Sequence, residues 1–142
     1  MLKTNKMRNL DTNYLNKFKS SDINTFVILE GLYQSELSDG CDDLVFDKQT
    51  LNIPKNSKLE KPIHLLFITS QDCDQTINII AEENSSFAMI EEHTSLENHK
   101  HTNNIKIKIT AKKNSSITYY KLQNENNNAT HNAKTNIRQE QH

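Results

Sequence analysis

The sequence predicts a mainly β fold, a β-solenoid of about three coils behind a short N-terminal helix. Three observations predict it. A segment repeats at an offset of 30 residues, the runs between copies alternate strictly between apolar and polar positions, and the turns carry Asn-Ser in a chain with only two glycines and two prolines. A period near 30 with two strands per unit is the pattern of stacked coils, in which no single coil can bury its apolar face alone.

The repeat is plainest in Ala-Glu-Glu-Asn-Ser-Ser-Phe-Ala-Met-Ile (81–90) and Ala-Lys-Lys-Asn-Ser-Ser-Ile-Thr-Tyr-Tyr (111–120). A weaker copy runs from Pro54 to Ile63, offset by 27 or 28 residues, so that Leu59, Phe87 and Ile117 are equivalent. Ile77 and Ile79 precede the second copy. Ile105, Ile107 and Ile109 precede the third, with Lys106 and Lys108 between them. Successive strand residues point to opposite faces, so the isoleucines share one face and the lysines the other. An antiparallel sandwich would favour Asn-Gly or Asp-Gly hairpins, and Asp39-Gly40 is the only such dipeptide here.

Residues 1–24 form a helical or disordered N-terminal segment, and residues 25–142 form the β domain. Leu10, Tyr14, Leu15 and Phe18 fit one face of a short helix. Phe26 to Leu29 reads as a strand closed by Gly31, and Ser35 to Asp43 as a loop. After the polar break Asn124 to Asn128, Ala129 to Ile137 begins another coil, and no capping element follows. An uncapped solenoid leaves an open strand edge. Ala129, His131 and Ile137 therefore mark the expected interaction edge, through which the chain is expected to dimerise or aggregate.

Composition removes several classes. Seventeen Lys and Arg stand against 18 Asp and Glu, for a net charge of −1, so no basic field exists to hold nucleic acid or coat a membrane surface. The longest apolar runs, such as Ile63 to Ile68, are too short to span a bilayer, and Met1 to Leu10 does not read as a secretory signal. Two cysteines are too few for a disulfide framework. Together these lead to the expectation of a cytoplasmic protein.

No catalytic constellation is present, and with two glycines no phosphate-cradling loop can be built. The sequence assigns no catalytic residue and no bound cofactor. Cys41 and Cys73 sit beside aspartates that discourage thiolate formation, and both read as incidental thiols in polar loops. A conventional cluster takes four thiolates, more than this chain holds. The weak metal candidates are His93, His99 and His101. A His-x-His pair on a strand shares a face, but the segment has no familiar zinc pattern. Solvated histidines at a coil corner are the expectation. His64 reads as a packed strand residue, and Glu82-Glu83 and Glu91-Glu92 as turn and surface charges.

Several segments resemble the SufB/SufD family of iron–sulfur cluster assembly proteins, the SufD branch in particular. They are Phe-Val-Ile-Leu-Glu-Gly-Leu-Tyr (26–33) with Ser-Glu-Leu-Ser (35–38), Leu-Glu-Lys-Pro-Ile-His-Leu-Leu-Phe (59–67), and Glu-Glu-Asn-Ser-Ser (82–86) with Ile-Glu-Glu-His-Thr-Ser-Leu (90–96). Tyr-Tyr-Lys-Leu-Gln (119–123), His131 and Ile-Arg-Gln-Glu (137–140) complete the series. The resemblance implies a right-handed parallel β-helix and a non-enzymatic scaffold role in the Suf machinery. It implies SufB and SufC-like subunits, or a complementary SufD fragment, as partners, and iron–sulfur clusters as what the family assembles. It also implies an N-terminal part of the family's domain, the product of a truncated or split gene. The alternative is a stand-alone β-solenoid module that binds a metal on His93, His99 and His101 or another protein.

Overall fold

The computed structural model describes residues 12–41, 44–96, 100–124 and 129–140. A one-turn helix α1 (Thr12–Leu15) precedes ten strands. These are β1 (Asn24–Leu29), β2 (Leu32–Gln34), β3 (Val45–Asp47), β4 (Thr50–Ile53), β5 (Ile63–Thr69), β6 (Cys73–Ala81), β7 (Ser86–Ser95), β8 (His101–Ala111), β9 (Ser116–Asn124) and β10 (Ala129–Gln139). They form two five-stranded sheets, ordered β2-β1-β5-β7-β9 and β10-β8-β6-β4-β3. From β4 onward successive strands alternate between the two sheets, and each of β4 to β8 pairs in parallel with the strand two places on.

The register is the sequence repeat made physical. Ile77 lies beside Ile107, Ile79 beside Ile109, and Phe87 beside Ile117. A bridge from Lys58 to Ser86 brings the weak upstream copy into line, with the Leu59 N–H donating to the Ser86 carbonyl at 3.0 Å. At each turn an asparagine takes a positive φ: Asn56 at 66°, Asn84 at 60° and Asn114 at 61°. Besides glycine, asparagine and aspartate are the residues that visit this left-handed region most readily, which is how the chain turns here without glycine. The turns stack as well. Asn84 donates its amide to Asn56 Oδ1 at 3.0 Å, and the Ser57 and Ser85 hydroxyls close their own turns on Pro54 and Glu82 carbonyls at 2.6 and 2.7 Å.

Two antiparallel pairs depart from the stack: β1 with β2, and β3 with β4. Their turns are Glu30-Gly31, with φ of 50° and 82°, and Lys48-Gln49, with Lys48 at 56°. Asp39-Gly40 makes neither hairpin; the Asp39 carboxylate instead accepts the Thr25 N–H at 2.8 Å.

Between the sheets lies the main core, with Phe26, Ile28, Ile63, Leu65, Phe67, Phe87 and Met89 from one side and Leu51, Ile53, Ile77, Ile79, Ile105, Ile107 and Ile109 from the other. The remaining inward position assigned from the repeat, Ile117, is partly buried against this core. The first sheet is covered on its outer face too, where Leu15 joins Val27, Leu29, Leu66 and Ile68, with Tyr14, Phe18 and Leu37 packed against them. Burial on both faces explains why β5 is a continuous buried run rather than an alternating one. The second sheet keeps its outer face in water, so β8 alternates, with Lys106 partly exposed and Lys108 exposed. Of the predicted helix face, Leu15, Tyr14 and Phe18 are in place, while Leu10 lies outside the described residues. No helix among the described residues is long and apolar enough to cross a membrane.

Strands β9 and β10 are the last of their sheets on the same end of the molecule. Tyr120, Leu122 and Ile137 are exposed there.

Candidate functional site

The polar side chains with chemistry to offer are inside. Glu91, Glu92, His93 and His101 are all buried, which overturns the reading of the carboxylates as surface charges and of the histidines as solvated. Period two on β7 splits them between faces. Glu92 falls with the outer set, next to Leu66, while Glu91 and His93 pair in register with Leu65 and Phe67 of the main core.

On the outer side, Thr25, His64 and Glu92 form a chain. The Thr25 hydroxyl meets His64 Nδ1 at 2.9 Å, and His64 Nε2 meets Glu92 Oε1 at 2.8 Å. An ionised carboxylate only accepts, so the proton sits on Nε2 and Nδ1 accepts from the threonine. Burial holds His64 below its usual range, opposed by the bond and charge of Glu92 and by the charge of Asp39. Asp39 in turn meets Lys19 at 3.3 Å. His64 is thus the packed strand residue its surroundings suggested, with both ring nitrogens engaged.

On the inner side, His93 Nε2 donates to Glu91 Oε2 at 2.5 Å, and the Tyr119 hydroxyl donates to the other oxygen of the same carboxylate. The imidazole stacks on Phe67, centroids 4.7 Å apart and planes 12° from parallel. Burial pushes the Glu91 carboxyl up, but the bonds from His93 and Tyr119 and the nearby charges of His93 and Lys121 outweigh it and leave the group below its usual range. Tyr119 is driven upward by burial and by the Glu91 charge, so the phenol keeps its proton. Tyr119 belongs to a segment that matched the family pattern, yet its chemistry was not visible. The signal was the offset of 30, which sets Met89 beside Tyr119 and Glu91 one pleat farther along.

Of the three histidines that are weak metal candidates, the two described ones have separate partners. His101 is 3.3 Å from the Thr69 hydroxyl, His93 belongs to Glu91, and His99 lies outside the described residues. Among the described residues no three His, Cys, Asp or Glu side chains are grouped as a metal site. Cys73 is not in a loop but opens β6, half-buried, with its thiol pushed up to about 11 by burial first and by Glu30 and Asp74 second. That disfavours the thiolate a cluster ligand needs. Cys41 is half-buried against the core, and its neighbours 42 and 43 lie outside the described residues. Of the expected edge residues, Ala129 and His131 pair through the backbone with His101 and Asn103, and Ile137 is exposed on β10.

No curated protein matches the chain. A family model does, the one described as SUF system FeS cluster assembly, SufBD core domain, over residues 67–142. The matched stretch runs from within β5 through β10 and so takes in the in-register ladders and both edge strands. It covers more than half of the chain, which therefore belongs to the SufBD core-domain family of the SUF iron–sulfur cluster assembly system.

Proposed function

We propose that the chain is a SufD-like scaffold subunit of SUF iron–sulfur cluster assembly, working in the cytoplasm without catalysing a reaction itself. In this reading its two sheets are facing walls of a right-handed parallel β-helix, and β9 and β10 are the surface on which the assembly continues. The observation that carries it is the pair of edge strands on one end. β10 is eleven residues long, fully paired to β8 on one side, and bears the exposed Ile137 on the register column of Ile109. A long edge with an exposed apolar residue is a template for pairing. SufB- and SufC-like subunits, or a complementary SufD fragment, are the proposed partners, and the cluster is cargo of the assembly rather than a group resident on this chain.

The test is co-purification of the tagged chain from cells expressing its genomic neighbours, with mass spectrometry of what is retained. Recovery of SUF subunits supports the scaffold reading. Recovery of chaperones alone sinks it. A stand-alone metal module on His93, His99 and His101 gains no support from geometry, since His93 and His101 have separate partners.

A further inference from the structure

We propose that the outer face of the second sheet docks a short, extended, acidic segment of another protein. Period two puts every second residue of β6, β8 and β10 on that face, and the parallel register lines these residues up in rows across the strands. Asp74, Asn104 and Asn132 make one row. Lys106 and Lys134 share the next, Lys108 stands in the one after, and Arg138 in the one beyond it. Four cations therefore occupy three consecutive rows. The whole chain carries a net charge of −1, so charge is segregated here rather than in excess.

These cations lack carboxylate partners. Among the described residues no ion pair involves any of the four, whereas Lys112 at the corner beyond them is paired with Glu82 at 2.9 Å. Lys106 and Lys134 are register partners on strands about 4.8 Å apart, where like charges repel unless an anion comes between them. With Thr76 they line a groove of about 650 Å³ that runs on to the Asp74 row.

Spacing and the ends of the band select the occupant. Successive rows are two residues apart, roughly 6.6 Å in a parallel strand. An extended polypeptide presents side chains to one side at the same interval, so Asp or Glu at alternate positions meets one row each. Carboxylates close the band at both ends. Asp74 accepts the Asn104 amide at 2.6 Å in the row before it, and Glu82 and Glu140 stand near Lys112 in the row after it. A nucleic acid running on in either direction would lie over these like charges, and a short acidic segment does not. Exposed ion pairs are individually weak and screened by salt, so the binding is modest and salt-dependent. The face is separate from the β10 edge and needs none of the subunits proposed to join there, so the two readings stand or fall apart.

The experiment titrates the full chain into a fluorescein-labelled peptide with glutamate at alternate positions among threonines, read by fluorescence anisotropy at low ionic strength. Saturable binding that fades as salt is added is expected. A peptide of the same composition with its glutamates in one block should bind several-fold more weakly, and an oligothymidylate of equal charge should not compete. Lys106→Gln with Lys134→Gln should weaken binding by about fivefold. Lys55→Gln with Lys113→Gln removes the same charge from exposed turns and should leave it unchanged. In the unmodified protein, amide shifts on peptide titration should concentrate in β8 and β10, a readout that needs no variant. No binding, shifts centred on other strands, equal weakening by both double variants, or equal binding of the block peptide or the oligothymidylate overturns the proposal.

Discussion

The imidazole of His64 and the carboxylate of Glu92, 28 residues apart in sequence, meet at 2.8 Å on the outer face of the first sheet. His64 is held neutral by burial, with a pKa below its usual value. An unfolded histidine titrates near 6.5, so the unfolded chain binds the extra proton first. Stability from this residue is complete above about pH 6.5 and is lost as pH falls through the lower folded-state value. Chemical denaturation at a series of pH values should show that decline, and His64→Gln should flatten it in this window while costing about 1–3 kcal/mol near neutrality. An unchanged pH profile in the variant would show that another group is responsible.

The asparagine turns carry a separate expectation. Asn84 has a φ of 60° and bonds to Asn56. Asn84→Ala places an ordinary side chain in a left-handed conformation, at about 1–2 kcal/mol. Asn84→Gly relieves the backbone and loses only the amide contact, so urea midpoints should rank wild type and glycine above alanine. Equal midpoints for glycine and alanine would mean that the amide ladder matters more than backbone conformation.

In the core, Ile107 is packed beside Ile77 on the adjacent strand. Ile107→Ala should destabilise by about 2–5 kcal/mol, the usual cost of emptying a buried branched side chain. Calorimetry or denaturant titration checks it. A loss well under 1 kcal/mol would indicate that the sheets are not packed at this point.

Cys73 should be a slow nucleophile. With a thiol pushed up to about 11, its thiolate fraction at pH 7.5 is lower than that of a free cysteine by roughly two orders of magnitude. Alkylation timed by mass spectrometry should leave Cys73 unmodified long after a free thiol standard has reacted. Alkylation at the standard's rate would place the thiol in water.

These residues also separate what could be read in the sequence from what could not. The stacking was legible because each constraint is local. Asn56, Asn84 and Asn114 announce turns by residue type, and the isoleucines announce an inward face by period two. The polar interior was not legible. Glu91, Glu92 and His93 look like surface residues because hydropathy scores each one alone. They are buried because each finds a partner: His64 for Glu92, and Tyr119 and His93 for Glu91. Those contacts follow from register, which the repeat gave to within two residues, the parallel pairings from β4 onward having offsets between 26 and 30. Cys73 misled in a similar way. Flanking aspartates suggested a loop, yet Asp72 accepts the Thr102 N–H at 2.7 Å and Asp74 accepts from Asn104 at 2.6 Å, bonds that tie β6 and its approach to the next pair of residues in the ladder.

The most direct test of the docking edge is a photo-crosslinking amino acid placed at Ile137, with a second chain carrying it at Lys108 on the exposed outer face as control. Both are activated in cells that express the neighbouring SUF genes. The expected result is a covalent adduct between position 137 and a SUF subunit, with little or none from position 108. Adducts of equal yield from both positions, or none to any SUF subunit from position 137, would contradict a docking role for β10.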